Sequence, residues 1–369
     1  MLCSMKVLFV LHLPPPIHGA AIMGEYVKNS SLINNSFECD YINLTIAQSL
    51  TDINKTGIHK LSQSFKVYFR VLKAVMSKKY DLCYVTINAK GKGFYKDFPV
   101  VMILKLFSQK LVYHYHNKGV SEGQHKWALN LLYRLQFRNA NAILLSKHLY
   151  ADIEKYLPAN KVFYCANGIP KQVAKKIIRD NSPDKIPKVL FLSNMAVEKG
   201  VLVLLKACRV LKKRKTIFEC HFVGGWLDIT PKMFASLVES YDLAGCVYAH
   251  GPKYNQDKAI FFQSADIFVL PSLNEAFPLV NLEAMQWGLP VISSLTGGTG
   301  DAVKHGETGF VLPAGDFNEL ADKIEILIKN PELRVNMGMA GKEHFTDLFT
   351  VERFEKRLSV ILTKIICTN

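Results

Sequence analysis

The 369-residue sequence has no run of twenty apolar residues, which argues against an uninterrupted membrane-spanning helix. The charge-free stretch Ala284–Gly300 is broken by Gly288, Pro290 and three later glycines. The apolar run Val7–Leu13 contains His12 and stops at Pro14-Pro15-Pro16, so it reads as a first buried strand. The eight cysteines are scattered, with no Cys-x-x-Cys and no Cys/His cluster at zinc spacing. A reduced, cytosolic chain without structural zinc is expected. Acidic residues are scarce in one half only. Residues 1–180 hold 25 Lys/Arg against 10 Asp/Glu, whereas residues 181–369 hold 21 of each. The N-terminal half is therefore expected to face something anionic, and charge alone does not choose among nucleic acid, lipid headgroups and phosphorylated ligands.

What is present is an alternation of short β-branched apolar runs with helix-length amphipathic segments, the pattern of parallel strands with crossover helices. The length suits two domains better than one core. In the first, strands are predicted at Lys6–Leu11, Leu82–Thr86, Lys110–His114 and Ala142–Leu145, with helices near Ala20–Lys28, Ser62–Ser77, Phe98–Phe107 and Lys126–Arg138. A polar, Pro-containing stretch with Asn181, Ser182, Pro183 and Pro187 reads as a linker. Beyond it, strands are predicted at Val189–Ser193, Glu219–Val223, Cys246–His250, Ile267–Leu270 and Pro290–Ser293, with a helix at Gly200–Lys212. The expected organisation is an N-terminal domain with linker over 1–180, a second domain over 188–345, and an amphipathic helix within 346–369 packing back on the first domain. The fold class is α/β, with two doubly wound, Rossmann-like domains.

The densest chemical signal runs from Asp266 to Ser293. Glu275 falls in the loop after a strand, and Glu283 falls eight residues later inside the next helix. Ligands of open α/β sheets bind at such strand ends. One carboxylate could hold a sugar and the other a ribose through paired hydroxyls, while N–H groups at the helix start meet phosphate. Taken alone, two glutamates at this spacing read as a solvated loop residue and a capping or salt-bridging one. The whole phrase, however, resembles the E-x7-E block of the retaining glycosyltransferases called group 1 or family 4. Further resemblances follow in the same order: Val189 through Lys199-Gly200, Phe222-Val-Gly224-Gly225, Gly251 through Lys258, and Lys304 through Phe310.

The resemblance implies the GT-B fold, with the two domains facing across a cleft. It implies Lys199 as the donor-diphosphate ligand, consistent with an ammonium as a point-charge partner of phosphate. Asn194 stands where many family members carry a second cation, so it can donate amide hydrogen bonds without charge. Ala276, Phe277, Pro278 and Leu279 join Asn194, Lys199 and Glu283 as donor-binding positions, and Glu275 is implied as catalytic. In the first domain, Gly19 resembles the family's glycine loop and is implied at the donor. His116, in Tyr113-His114-Tyr115-His116, matches the active-site histidine; a neutral ring there can hydrogen-bond a sugar hydroxyl. The chain contains no Asp-x-Asp, so no metal and no cofactor are expected, the nucleotide sugar being a co-substrate.

The implied function is retaining transfer of a hexose or N-acetylhexosamine, with UDP ranked ahead of GDP, to a glycan or lipid-linked glycan acceptor in bacterial surface polysaccharide synthesis. The implied place is the cytoplasm, peripheral on the inner membrane face, with an anionic membrane surface as a further partner and nucleic acid not expected. A nucleotide-sugar epimerase of the same fold and a nucleic-acid-directed glucosyltransferase are the alternatives, and neither has a visible signature of its own.

Overall fold

The computed structural model describes residues 5–45, 58–107, 109–172 and 185–368. Most of the expected linker, including Asn181, Ser182 and Pro183, lies outside them. The chain forms two compact units: Met1–Gly168 together with Val351–Asn369, and Ile169–Thr350.

The first unit runs β1 (Lys6–Leu11), α1 (Gly19–Asn29), α2 (Ser31–Ser36), β2 (Glu38–Asn43), α3 (Ile58–Ser77) and β3 (Leu82–Thr86). It continues through α4 (Gly91–Leu106), β4 (Leu111–Tyr115), α5 (Val120–Gly123), α6 (Trp127–Phe137), β5 (Ala140–Leu144) and β6 (Val162–Tyr164). The six strands form one sheet in the order β2-β1-β3-β4-β5-β6, all pairings parallel. The central strands are apolar throughout because both faces are covered: Val7 to Leu11 and Leu82 to Val85 are fully buried. β2, at the edge, alternates polar and half-buried positions and was not anticipated.

Connection handedness decides which helix covers which face. The steps β2 to β3, β3 to β4 and β4 to β5 all advance in one direction across the sheet, so right-handed crossovers place α3, α4 and α6 on one face. The step β1 to β2 goes the other way and places α1 and α2 on the opposite face. Helix α4 begins at Gly91 rather than near Phe98, and Pro99 sits inside it, where it forgoes one i→i−4 hydrogen bond.

The second unit runs β7 (Lys188–Leu192), α7 (Val201–Lys213), β8 (Glu219–Val223), α8 (Pro231–Ser240), β9 (Val247–Ala249), α9 (Asn255–Ser264) and β10 (Ile267–Leu270). Then come α10 (Leu279–Gln286), β11 (Val291–Ser294), α11 (Thr299–Ala302), β12 (Gly309–Leu312), α12 (Phe317–Lys329) and α13 (Pro331–Leu348). Its parallel sheet has the order β12-β11-β10-β7-β8-β9. The chain travels outward from β7 through β8 to β9, then returns to the other side of β7 for β10, β11 and β12. The order therefore reverses between β7 and β10, and the loops leaving their carboxyl ends diverge there, which is where doubly wound sheets form a ligand crevice.

The last helix, α14 (Val351–Cys367), belongs to the first unit. It buries Phe354, Leu358, Leu362 and Ile365 at helical spacing and packs on α2 and β3. Among the described residues, no helix is long and apolar enough to cross a membrane.

Candidate active site

Lys199 and Glu275 lie on the two loops that leave the β7/β10 reversal. After β7 the chain makes a 3-10 turn over Val197–Lys199 and enters α7 through Gly200. Gly200 has φ +81°, and a Cβ there would sit 2.0 Å from the Pro271 carbonyl oxygen. Only glycine lets the Lys199 turn press against the loop that follows β10. The Leu273 N–H donates to the Glu198 carbonyl at 2.8 Å and fastens the two loops together. In consequence the Lys199 ammonium donates to Glu275 Oε1.

The far side of Glu275 is held by the loop after β11. Gly297, at φ +51°, approaches so closely that a Cβ would meet the Glu275 and Ala276 carbonyl oxygens at 2.4 Å. The Gly298 N–H donates to the Ala276 carbonyl at 2.7 Å. Ala276 and Phe277 are buried, and the Phe277 ring lies 5.9 Å from that of Phe349. What these two residues can present to a ligand is therefore backbone. Pro278 caps α10 and Leu279 begins it; the Asn281 N–H donates to the Pro278 carbonyl at 3.2 Å, so the N–H groups ahead of Asn281 are those a ligand could meet. Ser272 and Thr296, in the same loops, and Thr299, at the start of α11, each bury a hydroxyl without a protein partner, and such groups are where ligand hydrogen bonds are expected. Asn194 follows β7, its backbone carbonyl accepting from the Ala196 N–H at 2.8 Å.

Glu283, within α10, accepts from Lys258 of α9 at 2.7 Å. The two carboxylates thus have separate lysines. Lys258 was not singled out from sequence; the signal available for it was its place at the end of the Gly251–Lys258 block. Both pairs are half-buried, so each lysine can exchange its carboxylate for a phosphate oxygen without a large desolvation cost. The set offers two hydroxyl-accepting carboxylates, two ammonium groups and a helix start around one reversal point.

In the first unit, histidines gather at the corresponding strand ends. Gly19 is the first residue of α1, immediately after His18, which caps the helix by accepting from the Ala21 N–H at 3.3 Å. His12 follows β1 and lies 3.0 Å from the Asn88 side-chain amide, which in turn donates to Asp97 at 2.8 Å. Asn117 donates to Asn88 at 3.1 Å and extends this network towards His116. His114 is fully buried, hydrogen-bonded at 2.5 Å to the Tyr84 hydroxyl, and its ring is 4.3 Å from that of His116. Burial, followed by the neighbouring His18, pushes the His116 pKa down to about 3. Burial, with Lys96 as the next cause, also lowers the His12 pKa well below the ordinary histidine value. Both rings are neutral at physiological pH, so they can position hydroxyl groups without adding charge. Sequence reading singled out His116 but not the network of His12, Asn88 and Asp97, although a histidine ending the first apolar strand was a visible signal.

Comparison with known proteins concerns the sequence of the second unit and the fold of the whole chain. Residues 173–344 match the family described as glycosyl transferases group 1. The chain is 31% identical over 170 residues to the amylovoran biosynthesis glycosyltransferase AmsK of Erwinia amylovora, covering 44% of this chain and 41% of that protein. It is 29% identical over 197 residues to a D-inositol 3-phosphate glycosyltransferase of Paenarthrobacter aurescens, covering 50% and 47%. The matched region thus spans less than half the length of these two relatives. The crystal structure of Anabaena HepE in complex with UDP superposes with a TM-score of 0.75 at 18% identity, over 98% of this chain and 100% of that one. Residues 173–344 therefore resemble the group 1 glycosyl transferases in sequence, and the chain has the two-unit GT-B fold.

Proposed function

We propose that this protein transfers a hexose or N-acetylhexosamine, with retention at the anomeric carbon, from a UDP-sugar to a glycan or lipid-linked glycan acceptor. The observation that carries this reading is the Lys199–Glu275 pair at the β7/β10 reversal. Lys199 and the α10 start would hold the diphosphate and stabilise the negative charge that builds on it as the glycosidic bond breaks. Glu275 would accept hydrogen bonds from sugar hydroxyls, and Glu283 from the ribose. His116, neutral, would orient a donor hydroxyl. The acceptor hydroxyl would attack from the face the diphosphate leaves, with positioning as the main source of rate. The diphosphate charge would be met by these groups without a metal. UDP as the base agrees with the UDP-bound structural neighbour, and glycosyl transfer as the class agrees with the names of the relatives. We place the protein in bacterial surface polysaccharide synthesis, in the cytoplasm and peripheral to the membrane, its basic first unit facing an anionic surface.

The test is incubation with labelled UDP-hexoses and UDP-N-acetylhexosamines in the presence of lipid-linked glycan acceptors, followed by proton NMR of the product's anomeric coupling. Transfer with the donor's α or β configuration preserved is expected. An inverted product would overturn retention. Epimerised donor formed without any acceptor would assign the protein to isomerisation instead.

A further inference from the structure

The outer surface of α3, α4 and α6 has a composition that the core and the active site do not explain. These helices cover one face of the first sheet, with α3 packed on α4 and α4 on α6. Their inward sides supply the core through Val67, Val71, Val75, Val101, Leu104 and Tyr133. Their outward sides are nevertheless apolar at their most prominent points: Phe69 is 66% exposed, Leu106 81% and Trp127 82%. Phe65, Met76 and Leu131 are also exposed. Single exposed apolar residues are ordinary, but large ones repeated on three adjacent helices mark a contact surface.

Charge identifies the partner. Exposed cations are interleaved with these side chains: Lys66, Arg70 and Lys73 on α3, Arg134 on α6, and Lys126 and Arg138 at the ends of α6. Across the three helices the one acidic residue is Asp97, and it is buried. The covering helices of the second unit differ: α12 and α13 expose Asp322, Glu332, Glu343 and Asp347 alongside their lysines. Arg70 and Lys73 also line a groove of about 630 Å3 between α3 and β2, with Tyr41, Tyr80 and the Lys78–Asp40 ion pair in its wall. A nucleic-acid surface would need cations without a prominent aliphatic layer. Cations flanking protruding Phe, Leu and Trp suit an interface where phosphate headgroups lie above acyl chains.

We propose that the α3–α4–α6 face is a docking surface for an anionic lipid bilayer, with Phe69, Leu106 and Trp127 entering the headgroup–acyl boundary and Lys66, Arg70 and Lys73 pairing with lipid phosphates. This gives the peripheral placement proposed above a defined surface, and its test does not depend on donor chemistry. The intact protein is mixed with phosphatidylcholine vesicles, with and without phosphatidylglycerol, and binding is read by co-sedimentation and by tryptophan emission. Binding to the phosphatidylglycerol vesicles that weakens with added salt is expected, with a blue shift that is lost in Trp127→Phe. Lys66→Ala, Arg70→Ala and Lys73→Ala combined lower the partition coefficient by about a hundredfold. Equal binding to neutral vesicles, no binding at all, or full binding by the triple variant would overturn the proposal. Self-association in sedimentation velocity that Trp127→Ala abolishes, without vesicle binding, would assign the face to a second copy. Stabilisation by UDP, measured on the same variants, reports folding separately: its retention in the triple variant validates the vesicle result. Its absence from the wild type counts against the donor site alone.

Discussion

Replacing Lys199 by methionine removes the ammonium while keeping the side chain's length and apolar stem. Two effects follow, and they differ in size. The ion pair with Glu275 is half-buried, its side chains 29% and 17% exposed, so its loss lowers folding stability by about 1 kcal/mol or less. A charge-assisted contact to a diphosphate contributes more, about 1.5–3 kcal/mol. Affinity for UDP should therefore fall by about ten- to a hundredfold, while affinity for uridine, which has no phosphate, changes little. Isothermal titration of wild type and Lys199→Met with both ligands measures the difference. Glu275→Gln supplies the control that breaks the pair from its other side, and the double variant closes the cycle. An equal loss for UDP and uridine would show that the substitution had disturbed the site as a whole. An unchanged UDP affinity would refute the phosphate role of Lys199.

Glu275→Gln itself should lower transfer by about a hundredfold or more while leaving UDP binding nearly intact, because it removes an acceptor of sugar hydroxyls rather than a phosphate ligand; steady-state kinetics beside UDP titration separates the two. Gly200→Ala places a Cβ against the Pro271 carbonyl at a left-handed backbone, so unfolding free energy should drop by about 2 kcal/mol or more in urea titration and UDP affinity should fall with it. His116, with its pKa pushed down to about 3 by burial, binds fewer protons folded than unfolded between that value and the ordinary histidine range. Its contribution to stability is complete above about pH 6.5 and declines as pH falls towards 3, by at most about 1.4 kcal/mol per pH unit. His116→Gln should flatten that slope in urea titrations from pH 7 down to pH 5, and an unchanged slope would contradict the assignment.

The legible parts of this fold were those where one physical cause dominates. β1, β3, β7 and β10 are buried on both faces, so they appear as short uninterrupted apolar runs, and their positions could be read directly. β2 lies at the edge with polar, half-exposed positions, and β6 has three residues, so neither produces such a run. The helix expected near Phe98–Phe107 begins earlier, at Gly91, and Pro99 lies inside it. At the site, Lys199 and Glu275 were singled out through the Lys-Gly pair and the E-x7-E block, and the structure sets both on loops that follow strands and joins them in one ion pair. Lys258 was not singled out, because its ion pair with Glu283 joins two separate helices, α9 and α10, and no spacing pattern announces it. The network of His12, Asn88 and Asp97 joins three separate segments, and no spacing rule brings them together before the sheet order is known.

The central claim is that the β7/β10 reversal holds a nucleoside diphosphate sugar. A thermal-shift titration of the intact protein with UDP, GDP, ADP and their sugar conjugates tests it most directly, because a ligand that binds only the folded state raises its stability by mass action. The expected result is stabilisation by UDP and its sugar conjugates that is weakened in Lys199→Met. The absence of a shift with every nucleotide, or an undiminished shift in that variant, would contradict it.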